Sequence, residues 1–227
     1  MALKKDGRRE RRRNSDEPKP EWIPKTEIGR LVKSGQITSV EEIFARGKKI
    51  LEHGIVDHLY PDMNEETLEV SSTQRMTDNG RKAQFRAIVL VGDRNGHFGI
   101  GAGKSEEVKP AIESAVKFAK RNLMSVPLGC GSWECGCGQK HSLPIKVVGK
   151  LGSVEVTLKP APRGLGVAAN EVVKKVLSAA GVKDIWSFSR GHTRNVYNTA
   201  MATANALEQL NTMRIRGGWD AQKKQNN

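Results

Sequence analysis

Apolar residues recur along this chain in two periods, and the switches between them divide it into elements. From Ala83, Phe85, Ala87, Val89 and Val91 fall on alternate positions before the pattern closes into the continuous run Ala87-Ile-Val-Leu-Val91. That predicts a strand over 83–91, partnered by a shorter one at Thr67-Leu-Glu-Val-Ser71. Between them, Gln74 to Lys82 reads as a basic loop around an Asn79-Gly80 turn. Asp93-Arg-Asn-Gly96 is a second turn, leading into a strand from His97 to Lys104. The period then lengthens to that of a helix over Glu106 to Leu123. Val108, Ile112, Ala115, Val116 and Ala119 should face inward, with Lys117, Lys120 and Arg121 elsewhere on its surface. Upstream, Trp22-Ile-Pro24 reads as an extended anchor. Ser39 and Glu42 have the spacing of a capping box. The helix they open has Val40, Ile43, Phe44, Ile50 and Leu51 on its apolar side, a weak point at Gly47 and a natural stop at Gly54. Residues 21–63 should pack on the sheet that follows. Helix–strand–strand–strand–helix over about 39–123 is the order of a double-stranded-RNA-binding module.

The second half repeats the alternation. Leu143 to Val148 and Ser153 to Leu158 predict two strands around Gly149-Lys-Leu-Gly152, and Pro160 to Gly166 turns the chain. Asn170 to Ala180 is helical, with Val172, Val173, Val176, Leu177 and Ala180 inside. Val182 to Phe188 is a strand and Thr193 to Leu210 a long helix. The predicted fold class is mixed α+β. A double-stranded-RNA-binding-like domain (64–127) precedes a small β-β-α-β-α domain (142–212). A basic arm (1–20), an N-terminal extension (21–63), a cysteine-rich segment (128–141) and a basic tail (213–227) surround them.

Charge narrows the function. Among 227 residues, 38 Lys and Arg face 25 Asp and Glu, a net charge of +13 that calls for a polyanionic partner, nucleic acid ahead of an acidic membrane surface. Lys4-Lys5, Arg8-Arg9 and Arg11-Arg12-Arg13 crowd an arm with no apolar residue beyond its first three. It reads either as a solvated or localisation tail or as an arm that orders against phosphate. No apolar run approaches the ~18–20 residues that span a bilayer, and the N-terminus is charged where a secretion signal is greasy. A cytoplasmic protein with no membrane partner is expected.

The local motifs favour binding over catalysis. Gly99, Gly101 and Gly103 leave one side of a strand bare. Its amides could approach a sugar-phosphate chain closely, or the glycines could serve tight packing of sheet on helix; both readings stand. Arg163-Gly-Leu-Gly166 and Ser189-Arg-Gly-His-Thr-Arg194 each precede a helix, where free amides meet anions. Thr193 would serve equally as an N-cap. A nucleotide-binding phosphate loop ending at Gly103-Lys104-Ser105 requires glycine at position 98, where Phe98 stands, so an NTPase with a small-molecule substrate is excluded. Cys130, Cys135, Cys137 and His141 offer three thiolates and an imidazole, a complete tetrahedral zinc set (Zn2+) with a structural role. Reduced unliganded thiols and a redox role are the alternatives; an odd, tightly spaced trio is a poor disulfide framework. A closed zinc site leaves no open position for hydrolysis. The remaining histidines, His53, His58, His97 and His192, lie on different elements without a local triad or paired-carboxylate signature. No enzyme is expected.

Val91-Gly-Asp-Arg-Asn-Gly-His-Phe-Gly-Ile-Gly-Ala-Gly-Lys104, followed by a Glu-Val helix start, resembles the small-subunit ribosomal protein S-five family. So does Lys159-Pro-Ala-Pro-Arg-Gly-Leu-Gly166, followed by Ala180-Gly-Val182. The similarity covers roughly 64–212, and the cysteine segment and N-terminal extension resemble the archaeal branch. The resemblance implies a structural constituent of the small ribosomal subunit, on cytoplasmic ribosomes, that binds small-subunit rRNA and contributes to translational accuracy. Implied partners are the neighbouring ribosomal proteins S-four and S-eight, and mRNA where it comes into the subunit. The segment Arg75 to Lys82 would be the family's basic hairpin, which reaches into rRNA near the head–body junction; Gly80, Arg81 and Lys82 are kept, while Thr77-Asp78-Asn79 differs from the bacterial pattern. Candidate RNA-binding residues are therefore Arg75, Asn79, Gly80, Arg81 and Lys82 on the hairpin and Asn95, Gly96 and His97 at the next turn. Gly101 and Lys104 on the following strand join them, with Arg163, Gly164, Ser189, Arg190, Gly191, Thr193 and Arg194 in the second domain. The rival reading is a double-stranded-RNA-binding protein working outside the ribosome.

Overall fold

The continuous apolar run at 87–91 has its cause in a sheet covered on both faces. In the computed structural model, which describes residues 22–213, β1 (Asn64–Thr77), β2 (Gly80–Gly92), β3 (His97–Ser105) and β4 (Leu123–Ser125) form one antiparallel sheet in that order. Ala87, Val89 and Val91 of β2 pack against Ala111, Ala115 and Ala119 of α4 (Val108–Arg121). Ile88 and Leu90, with Phe98 and Ile100 of β3, face the other way into the core of the second half. A strand buried on both sides loses its polar alternation. The arm at 4–13 and the tail from 214 lie outside the described residues.

The second sheet runs β5 (Val147–Leu151), β6 (Val154–Pro160), β8 (Ile185–Arg190), β7 (Val167–Ala168), with only the β7–β8 pair parallel. Helices α5 (Glu171–Ala179) and α6 (Val196–Asn211) bring Val173, Val176, Leu177, Ala200, Leu207 and Leu210 to the core shared with the first sheet. The α+β class is therefore as the periods predict. Among the described residues no helix is long and apolar enough to cross a membrane.

The N-terminal extension departs from expectation. The single helix predicted from Ser39 is broken into α2 (Val40–Ala45) and α3 (His53–Leu59), with α1 (Glu27–Lys33) before them. Gly47 sits at φ +65°, a left-handed conformation that ends the helix. Ser39 Oγ and Glu42 Oε1 bond each other at 3.2 Å, and Ser39 makes no side-chain cap to the backbone. Gly54 does not stop a helix; it lies inside α3, where a Cβ would come within 2.5 Å of the Trp22 ring. Leu51, assigned to the apolar side, is exposed. These helices form their own cluster of Ile28, Val32, Ile37, Val40, Ile43, Ile50, Ile55 and Val56, which closes onto Leu123. Lys120 fastens them to the rest, pairing with Asp57 and Glu65 at 2.7 Å each.

In α4 the buried side is the alanine stripe 111–115–119, while Val108 is exposed; the larger side chains flank the seam because the strand beneath leaves no room for them. β5 begins at Val147 rather than Leu143. β8 begins at Ile185 rather than Val182, because the amides of Lys183 and Asp184 are both drawn to the His141 carbonyl, at 2.9 and 3.1 Å.

Candidate nucleic-acid interface and metal centre

The stretch read as a basic loop is a ladder. β1 and β2 stay paired out to Thr77 opposite Gly80, leaving only Asp78-Asn79 to turn, with Thr77 Oγ1 donating to the Gly80 carbonyl at 2.8 Å. The third strand begins to pair only at Phe85, opposite Ser105, so the ribbon beyond it projects without a sheet neighbour, a reach of roughly 15 Å at ~3.3 Å per residue. Arg75 stands directly opposite Lys82, and Met76 opposite Arg81; all four are exposed. Like charges facing across a ladder destabilise it. Among the described residues Lys82 pairs with an acid, Glu106 at 3.1 Å, and both groups are largely in solvent. Arg75, Met76, Lys82 and Lys104 line a groove of about 620 Å³ along this ribbon. Asn79 and Gly80 sit at its tip.

The bare strand face is explained by packing. Added Cβ atoms at Gly99, Gly101 and Gly103 would lie 2.3, 2.2 and 2.4 Å from the carbonyl oxygens of Ala119, Ala115 and Ala111. Gly101 is thus buried beneath α4 and offers nothing to RNA, which corrects its assignment. Gly96 and His97 are also buried and are corrected likewise; Asn95, with its neighbour Arg94, is exposed. The Asp93 carboxylate organises the turn, accepting from the Asn95 and His97 amides at 2.7 and 3.0 Å and lying 2.7 Å from His97 Nδ1. Burial pushes the Asp93 carboxyl up, but these hydrogen bonds outweigh it and hold it below its ordinary range.

The turn at 163–166 is not at a helix start. β7 intervenes, and α5 begins at Glu171 after Asn170. The amides of Gly164 and Gly166 already donate to Asp184 Oδ1, at 3.0 and 2.8 Å, so they are not free for phosphate; the Arg163 side chain remains exposed. At the other turn, Ser189 and Arg190 end β8, and Gly191 turns the chain at φ +91°. Arg194 is exposed. Asn195, not Thr193, caps α6, accepting from the Asn198 amide at 3.2 Å. Arg86, which the sequence reading passed over, lies opposite Lys104 and stacks 4.8 Å from the Tyr197 ring centre, bridging the two domains. Its signal was present in the polar positions of 84 and 86 between apolar neighbours.

The structure gathers Cys130, Cys135, Cys137 and His141. An antiparallel bridge between Gly129 and Ser142 closes the base of the loop and sets Cys130 and His141 side by side. The four ligand atoms lie within 4.8 Å of one another. Cys130 Sγ is 3.7 Å from Cys137 Sγ, and Cys135 Sγ is 3.7 Å from His141 Nε2. Tetrahedral zinc with bonds of ~2.3 Å to sulfur and ~2.05 Å to nitrogen places such pairs about 3.8 and 3.6 Å apart, so the set fits that ion. All three thiols are free. Backbone N–H groups of Arg163 and Cys137 bring Cys135 down to about 6, whereas burial, with its thiol neighbours, pushes Cys130 up to about 11. His141 Nδ1 is buried 2.9 Å from Asp184 Oδ2, close enough to pair but not aligned as a hydrogen bond, and has no other partner. Asp184 carried no signal in the sequence, being one acid 43 residues beyond the histidine.

Two family models match the chain: "Ribosomal protein S5, N-terminal domain" over residues 63–127, and "Ribosomal protein S5, C-terminal domain" over 149–221. The small ribosomal subunit protein uS5 of Methanocaldococcus jannaschii is 53% identical over 194 residues, covering 86% of this chain and 89% of that protein. That of Aeropyrum pernix is 52% identical over 194 residues, covering 86% and 88%. That of Methanoregula boonei is 51% identical over 196 residues, covering 86% and 96%.

Proposed function

The chain belongs to the ribosomal protein S5 family, and from that premise we propose that it works by holding small-subunit rRNA through the projecting hairpin. As a structural constituent of the small ribosomal subunit it acts by binding. One observation carries the reading: Arg75 faces Lys82 on a two-stranded ribbon with no core of its own. That arrangement repels itself in water and is relieved when phosphates lie between and around the cations. Lys104, in the same groove, extends the contact to the sheet, and the exposed Arg163, Arg190 and Arg194 supply further phosphate contacts from the second domain. Neighbouring ribosomal proteins S-four and S-eight, mRNA where it comes into the subunit, and a cytoplasmic location follow from the family. The Cys130–Cys135–Cys137–His141 set holds structural Zn2+, stapling a glycine-rich loop that has little core.

The test is a salt titration. Replacing Arg81 and Lys82 together by Ala should weaken binding to a small-subunit rRNA fragment. It should also flatten the dependence of log affinity on log salt by roughly one to two phosphate equivalents. An unchanged slope means the hairpin does not touch the backbone.

A further inference from the structure

The carboxylate of Asp184 stands between two features that sequence separates. On one side, Oδ2 faces His141 Nδ1 at 2.9 Å. On the other, Oδ1 accepts from the Gly164 and Gly166 amides at 3.0 and 2.8 Å. Both side chains are more than nine-tenths buried, so neither can turn to water instead. The two short runs are also fixed by their backbones, since the His141 carbonyl accepts from both Lys183 and Asp184 amides.

We propose that Asp184 is a positioning residue that couples the metal centre to the Arg163–Gly166 turn. This rests on the zinc reading above. An imidazole that binds metal through Nε2 keeps its proton on Nδ1, and among the described residues the carboxylate beside that nitrogen is Asp184. Fixing the proton there commits Oδ2 to the histidine and leaves Oδ1 to gather the two glycine amides. Gly164 and Gly166 have φ of +93° and +78°, which glycine adopts freely, so the bonds of their amides to Asp184 choose one shape for the turn among those open to it. The metal therefore acts beyond its own loop, setting the shape in which Arg163 is presented. Linkage makes this reciprocal: whatever binds the ordered turn tightens retention of the metal by the same factor.

The experiment compares the full-length chain with and without zinc, metal content being measured on the same samples by elemental analysis, with amide hydrogen exchange as the readout. One zinc per chain should bind. Its removal by a chelator should speed exchange at Gly164 and Gly166 roughly tenfold relative to Val156 and Leu158 of β6, the internal reference, in line with the ~10–100-fold worth of such outer partners. Asp184→Asn provides the second arm. Its amide oxygen still accepts from the glycines, but its NH2 faces Nδ1 and forces the ring proton onto Nε2. Zinc affinity should then fall at least about tenfold while the turn stays protected. Zinc loss with unchanged exchange at the two glycines, or wild-type zinc affinity in Asp184→Asn, overturns the coupling and leaves the zinc reading standing. A chain that takes up no zinc overturns both.

Discussion

Gly101→Ala separates the two meanings a glycine-striped strand can have. The backbone at Gly101 is not in the left-handed region, so alanine meets no conformational penalty there. Space is the obstacle: the new Cβ would lie 2.2 Å from the Ala115 carbonyl oxygen and 2.3 Å from the Ala119 amide nitrogen. Ordinary contact needs about 3.4 Å or more, so α4 must retreat by roughly 1 Å along a seam that Gly99 and Gly103 hold equally tightly. The blocking atoms are helix backbone and cannot rotate aside, which places the cost near the upper end of the ~1–3 kcal/mol for overpacking. A stiffer unfolded chain returns about 0.4–1 kcal/mol. The net loss should be about 2 kcal/mol, or roughly 0.7–1 M in the urea midpoint at a slope of about 2–3 kcal/mol/M. Gly136→Ala, where nothing lies within 4 Å, is the control and should keep only the unfolded-chain gain, raising the midpoint by roughly 0.1–0.5 M. If Gly101→Ala unfolds within about 0.2 M of the wild type and instead loses RNA affinity, the stripe serves RNA and the packing argument is wrong.

Two further substitutions test how the N-terminal extension is fastened. Glu52 accepts from Trp22 Nε1 at 3.0 Å and from the Lys25 and Thr26 amides, so Glu52→Ala should cost about 1–3 kcal/mol by urea unfolding near neutral pH. Burial pushes the Glu52 carboxyl up, but those donors outweigh it and hold it below the ordinary 4.5. Its stabilisation is therefore complete above that value and lost as pH falls through the lower folded one; a gap between variant and wild type that persists to the most acid measurable pH would contradict this. For Lys120, burial lowers the pKa, but Asp57 and Glu65 outweigh it and raise it above 10.5. Both carboxylates are over 40% exposed, so Lys120→Met should cost only about 1 kcal/mol. That cost is full below 10.5 and disappears as pH rises through the higher folded value; urea midpoints whose gap is the same at pH 8 and in strong alkali would assign the effect to packing of the stem.

What could be read from the sequence was what a single element decides alone. Ala83 to Val91 alternates and then fills in, and a strand buried on both faces is what results. The cysteine spacing pointed to the four residues whose donor atoms the structure gathers within 4.8 Å, because such a cluster depends on residue type and a loop short enough to close. The errors lie where two distant segments decide together. Gly99, Gly101 and Gly103 had two readings until the alanines of α4 were laid against them. Gly54 looked like a stop until Trp22 was seated on it. The hairpin was read as loop because its polar, charged residues lack any apolar face; its ladder is held by backbone pairing that no side-chain pattern reports.

The same seam recurs in the second domain and bears on how the protein binds. A Cβ at Gly149 of β5 would lie 2.1 Å from the Ala202 carbonyl oxygen and 2.4 Å from the Ala206 amide nitrogen of α6. A Cβ added at Gly92 would lie 2.6 Å from the Ala179 carbonyl oxygen, and one at Gly181 2.1 Å from that of Arg94, where α5 docks on the β2–β3 turn. Backbone set on backbone has no rotamers to exchange, so these contacts transmit position rather than absorb it. An exposed cation on a mobile scaffold would lose ordering entropy with each phosphate it bound. Cations carried on two sheets locked to their helices, and to each other, are already placed relative to one another before RNA arrives. Only the ribbon beyond Phe85 lacks that support, and it is there that Arg75 and Lys82 face each other. Inside the frame the facing cations Arg86 and Lys104 have the Tyr197 ring beside them, whereas on the ribbon Arg75 and Lys82 have solvent and Glu106, so on the proposed reading RNA would complete the structure there.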